Sequence, residues 1–71
     1  MKTSQIRSAL QAHDPKHGTG QRPDLFYSGN VMVQFIREVG EEVLAKKSPK
    51  ALANRYIKWY GRNYVVNIVE E

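Results

Sequence analysis

The sequence predicts an α+β domain that is mainly α, with three helices and one or two short strands in the order α-β-α-α-β. Apolar residues recur every three or four positions in three segments, which is typical of helices that pack one side against a core. Glycine and proline separate these segments and indicate turns. Residues 25–27 and 64–69 are instead rich in aromatic and β-branched side chains, which favour strands.

From the length and composition we expect one domain, residues 1–71. A chain of this size buries only about 60% of its unfolded surface, so little stability is in reserve. There is no cysteine, which excludes disulfides and thiolate metal sites. Because no secretory signal and no membrane-spanning apolar run is present, we expect a cytoplasmic protein.

The first predicted helix covers residues 4–13, and Thr3 or Ser4 is expected to cap it. Pro15 ends it, because proline disfavours helical geometry in the preceding residue. Residues 14–24 follow as a predicted flexible loop, since they contain two prolines and two glycines. Lys16 and Arg22 flank the glycines of this loop and are candidates for phosphate contacts.

A predicted strand at residues 25–27 leads into the second helix, residues 31–46. Ser28 or Asn30 is expected to cap this helix. Its predicted core side consists of Met32, Phe35, Ile36, Val39 and Val43.

The third predicted helix begins at Pro49, with Ser48 as its cap, and ends near Tyr60. Gly61 is expected to terminate it in a left-handed turn. Residues 64–69 form the last predicted strand, which requires a backbone partner. Residues 25–27 could supply that partner, or the same strand of a second subunit could, which would make a homodimer through residues 64–69.

The third helix carries the main functional prediction. Successive helical residues advance by about 100°, which places the apolar and basic side chains on opposite sides. No acidic residue occurs from Ala45 to Val69, although the net charge of +4 is modest. The apolar side consists of Leu52, Ala53, Tyr56, Ile57, Trp59 and Tyr60. The predicted nucleic-acid-binding residues are Lys46, Lys47, Lys50, Asn54, Arg55, Lys58 and Arg62, with Lys16 and Arg22 from the loop.

This pattern predicts a nucleic-acid-binding protein, with DNA favoured over RNA, since Asn54 and Arg55 are types that read adenine and guanine edges. A solvated helix surface without a ligand explains the same pattern equally well. Tyr56, Trp59 and Tyr60 could stack on unpaired bases, but their spacing on the apolar side favours packing in the core for all three. Trp59 lies near the edge of the apolar side and is the best candidate for partial exposure.

Two other function classes compete with this interpretation. The first is an adaptor or inhibitor that binds an acidic protein partner by adding residues 64–69 to that partner's sheet. The second is a small nuclease that uses His13 or His17. These histidines have the spacing of zinc ligands, but Pro15 interrupts the helix that would align them. We therefore predict no catalytic residue, metal or cofactor.

Overall fold

The computed structural model describes residues 1–65, and the regular secondary structure in this part of the chain is helical. A 3₁₀ helix, Asp24–Tyr27, precedes α2, and one π-helical turn, Gly61–Val65, continues α4. No strand occurs within residues 1–65, so the predicted α+β class is wrong. The α-helices are α1 (Thr3–His13), α2 (Gly29–Val39), α3 (Glu41–Ala45) and α4 (Pro49–Tyr60).

The core is centred on an aromatic cluster between the 3₁₀ helix, α2 and α4. The Tyr56 ring lies 5.1 Å from the Phe26 ring and 5.0 Å from the Phe35 ring, both edge-to-face. The Tyr56 hydroxyl donates a 2.6 Å hydrogen bond to the backbone carbonyl of Phe26, deep in the core. The other buried apolar residues are Ile6, Ala9, Leu10, Val31, Met32, Leu44, Leu52, Ala53 and Tyr60.

Helix α1 begins without a hydroxyl cap, contrary to the prediction. Thr3 and Ser4 lie inside the helix, and Lys2 is the capping residue. The Gln5 side chain reaches back and accepts a 2.8 Å hydrogen bond from the Lys2 backbone amide. This contact satisfies a free amide at the helix start without a hydroxyl group.

The predicted strand at residues 25–27 is wrong because this segment forms a 3₁₀ turn. The Phe26 amide donates to the Pro23 carbonyl at 3.0 Å, and the Ser28 amide donates to the Leu25 carbonyl at 3.1 Å. Phe26 is fully buried, whereas Leu25 is 49% exposed. A 3₁₀ turn satisfies its backbone groups with hydrogen bonds inside the same segment, whereas a strand needs hydrogen bonds to a neighbouring strand.

The predicted second helix, residues 31–46, is wrong as a continuous element because Gly40 divides it. Gly40 has φ 101° and ψ 127°, a conformation accessible mainly to glycine. The break changes the direction of the following residues, so Leu44 is fully buried while Val43 is 49% exposed. The prediction of Val43 in the core is therefore also wrong. Ser28 precedes the helix but makes no side-chain cap hydrogen bond.

Helix α4 confirms the third predicted helix. The Ser48 hydroxyl accepts a 3.3 Å hydrogen bond from the Ala51 amide, and Pro49 occupies the first helical position. The predicted left-handed end at Gly61 is wrong, since its φ of −58° and ψ of −40° are helical. The chain continues through the π-helical turn, which contains Tyr64 and Val65. The predicted strand therefore does not begin at residue 64, and residues 66–69, with most of the predicted dimer contact, lie outside the described residues.

An ion pair between Asp14 and Arg22 closes the loop that precedes the 3₁₀ helix. Arg22 donates from Nη2 to Asp14 Oδ1 at 2.8 Å and from Nε to Asp14 Oδ2 at 3.1 Å. The Arg22 guanidinium also lies 4.6 Å from the centre of the Phe26 ring. The Asp14 side chain is fully buried. The Arg22 hydrogen bond is the main reason that the pKa of Asp14 lies below its usual value, against the opposing effect of burial.

We expect Asp14→Asn to lower the free energy of unfolding by about 3 kcal/mol at neutral pH, because Arg22 would lose a buried partner. A lowered folded-state pKa stabilises the protein fully above the unfolded pKa of about 4. This contribution is lost as the pH falls below that value and through the folded pKa. Urea unfolding at several pH values tests this, with the exposed Asp24→Asn as control. Equal stability of Asp14→Asn and the native protein at neutral pH would contradict it.

A matched pair of glycine substitutions tests the division of the second helix. Gly40→Ala should destabilise by about 1–2 kcal/mol, because alanine is strained at positive φ. Gly61→Ala should be neutral or stabilising by up to about 1 kcal/mol, because Gly61 is helical and open space surrounds the position that an alanine methyl would take. Thermal unfolding of both variants measures the difference. A well-tolerated Gly40→Ala would mean that residues 29–45 do not need this break.

Candidate nucleic-acid interface

Helix α4 and the π-helical turn that continues it present a basic face, which we define as Lys50, Asn54, Arg55, Lys58 and Arg62. All of these side chains are exposed. The opposite side of the helix contributes Leu52, Ala53, Tyr56 and Tyr60 to the core. The helix therefore separates its cations from its buried aromatic residues, as the sequence periodicity predicts.

Four members of the basic face follow one another at intervals of four residues, so they form a row along the helix. This row runs for roughly 18 Å, given a rise of 1.5 Å per residue. Arg55 lies beside the row, on the side that leads to Trp59. The members of the row, in chain order, are Lys50, Asn54, Lys58 and Arg62.

Within residues 1–65, no member of the basic face forms an ion pair with a carboxylate. The ion pairs in this part of the chain join Arg22 to Asp14 and the N-terminal amine to Glu41. Both lie outside the basic face.

A cleft of about 400 Å³ opens at the C-terminal end of the basic face. Arg55, Lys58 and Arg62 line it together with Trp59, which is half-buried. The predicted partial exposure of Trp59 is thus confirmed. We call this site the Trp59 cleft.

Contacts with α2 and the π-helical turn hold the Trp59 indole in place. Its Nε1 donates to Glu38 Oε2 at 3.1 Å. Its ring lies 5.3 Å from the Phe35 ring and 5.6 Å from the Tyr64 ring. The Tyr64 hydroxyl in turn donates to Gln34 Oε1 at 2.6 Å. No local pattern in the sequence indicates that Glu38 neighbours Trp59, since the two residues are 21 positions apart.

The other predicted binding residues lie away from the Trp59 cleft. Lys46 is exposed at the end of α3. Lys47 lines a separate groove of about 730 Å³ between α1 and the start of α4. Lys16 is exposed in the loop, whereas Arg22 directs its guanidinium to Asp14. The predicted phosphate contact by Arg22 would therefore compete with an internal ion pair.

The two histidines occupy different environments. His13 lines the groove that contains Lys47, and His17 packs edge-to-face on Tyr27 at 5.5 Å. Within residues 1–65, no group of three or more histidine, cysteine, aspartate or glutamate residues could hold a metal ion. Burial raises the pKa of Tyr56 and of Tyr60, so both hydroxyls stay protonated and neutral.

The chain matches no protein-family model, no curated protein and no solved structure at a significant level. In the described part of the chain, no helix combines the length and the apolar character needed to cross a bilayer. The geometry of the basic face and of the Trp59 cleft is therefore the basis for a functional proposal.

Proposed function

We propose that this protein binds nucleic acid, with DNA as the favoured ligand, through the basic face of α4. The observation that carries the proposal is the exposure of Lys50, Arg55, Lys58 and Arg62 along α4 and the turn that continues it, without an ion-pair partner in residues 1–65. Cations arranged in this way neutralise phosphates and release the counterions that surround nucleic acid.

The position of the row on the helix supports DNA as the ligand. The row projects from the side of α4 that faces away from the core, so a phosphate backbone could approach it without displacing another element of residues 1–65. Asn54 lies within the row and Arg55 lies beside it. An exposed asparagine and arginine can bond to adenine and guanine edges in the major groove of DNA.

Lys46 and Lys47 extend the positive charge towards the start of α4. Lys46 is exposed and Lys47 is half-buried. We assign them a weaker role than the basic face, because they belong to the end of α3 and the linker rather than to the row. Lys16 would add a phosphate contact from the loop.

The adaptor or inhibitor that pairs through residues 64–69 stays a prediction. Tyr64 and Val65 lie in the π-helical turn, and residues 66–69 lie outside the described residues. Nothing in residues 1–65 therefore favours sheet addition over phosphate binding.

The salt dependence of binding tests the proposal. If Lys50, Arg55, Lys58 and Arg62 each neutralise one phosphate, a log–log plot of affinity against salt on duplex DNA should have a slope near −4. Lys58→Gln should make this slope about one less negative and should weaken binding on every sequence. Fluorescence anisotropy with a labelled oligonucleotide measures both effects.

Arg37→Gln serves as the matched control, because Arg37 is an exposed cation on α2 that does not line the Trp59 cleft. Its slope should equal that of the native protein. A slope near zero for the native protein would refute binding by the basic face. Equal losses of affinity in Lys58→Gln and Arg37→Gln would refute it as well.

A further inference from the structure

We infer that the Trp59 cleft binds an unpaired base, so that the protein prefers single-stranded DNA to duplex DNA. This inference rests on the proposed function, because the basic face must first hold the phosphate backbone. It adds a subsite in which the Trp59 indole stacks on a base while Arg55, Lys58 and Arg62 contact the neighbouring phosphates.

The packing of the indole leaves part of its surface open to a ligand. Tyr56, Phe35 and Tyr64 pack against the ring from the core and from the π-helical turn, with ring centres between 5.3 and 5.9 Å away. Trp59 nevertheless remains partly exposed and contributes to the wall of the cleft. Within residues 1–65, the cation that lies over an aromatic ring is Arg22 on Phe26. No described arginine or lysine therefore covers the Trp59 ring.

The size and charge of the cleft suit one nucleotide. A volume of about 400 Å³ falls in the range of about 300–1,000 Å³ that is typical of small-molecule sites. An aromatic side chain between cations is the arrangement that single-stranded DNA-binding proteins use, since bases stack on the ring and phosphates contact the charges. A paired base cannot enter the cleft, because it is stacked within the duplex.

Glu38 acts as a positioning residue for this subsite. Its carboxylate accepts the hydrogen bond from Trp59 Nε1 and so fixes the indole relative to α2. The same carboxylate places a negative charge close to the cleft, which opposes the approach of a phosphate. Glu38→Gln keeps an acceptor for Nε1 and removes this charge.

The intrinsic fluorescence of the protein tests the inference directly. Trp59 is the only tryptophan in the chain, so its emission reports on this one position. We would titrate the native protein with a thymidine oligonucleotide, an abasic oligonucleotide of equal length and a duplex of equal length. We expect strong quenching by the thymidine oligonucleotide alone. We also expect roughly tenfold weaker binding of the abasic strand, since one stacked base contributes about that factor.

Three variants separate stacking from charge, with anisotropy of a labelled strand as the measurement. Trp59→Leu should weaken single-strand binding by roughly tenfold and abolish the preference over the abasic strand. Trp59→Phe keeps an aromatic ring and should retain most of that preference. Glu38→Gln should strengthen binding by about two- to threefold at low salt and have little effect at high salt. If Trp59→Leu fails to fold, Trp59→Phe and the abasic ligand still provide the comparison.

The outcomes distinguish this inference from the proposed function. Salt-dependent binding of all three ligands with equal affinity and no quenching would overturn the Trp59 subsite and leave the basic face intact. The absence of binding to any of the three ligands would overturn both. Quenching by the thymidine strand, together with weaker binding of the abasic strand and of the duplex, would support both the Trp59 subsite and binding through the basic face.

Discussion

The rotation of α4 about its own axis is the constraint on which the rest of the structure depends, and Tyr56 fixes it. The phenol ring lies between Phe26 and Phe35, and its hydroxyl donates to the Phe26 carbonyl. A buried hydroxyl without a partner is costly, so this bond permits few other orientations. Turning the helix by one residue, about 100°, would break the bond and bring the cations towards the core.

The same constraint determines the composition of the candidate site. With Tyr56 directed inwards, Arg55 and Lys58 face solvent and Trp59 lies at the boundary of the core. Trp59 therefore has two roles, since it packs on Phe35 and also lines the Trp59 cleft. A substitution at this position affects folding and binding together, which is why an aromatic replacement is more informative than alanine.

The two kinds of cation in this chain differ in their surroundings. Arg22 donates hydrogen bonds to the buried carboxylate of Asp14 and lies over the Phe26 ring, so its charge stabilises the loop and its contact with the core. The cations of the basic face have no such partner in residues 1–65. Net charge alone cannot separate these classes, because both contribute equally to the total of +4.

The sequence by itself determined the elements whose signals are local. The start of α4 follows from Ser48 and Pro49, and its buried side and exposed cations follow from the apolar spacing. The tertiary structure decided what depends on distant contacts. Phe26 is drawn into the core as a 3₁₀ turn rather than a strand, Gly40 divides a continuous helical pattern, and Glu38 meets Trp59 across two helices. Local propensities describe one segment at a time, whereas burial and pairing depend on which segments meet.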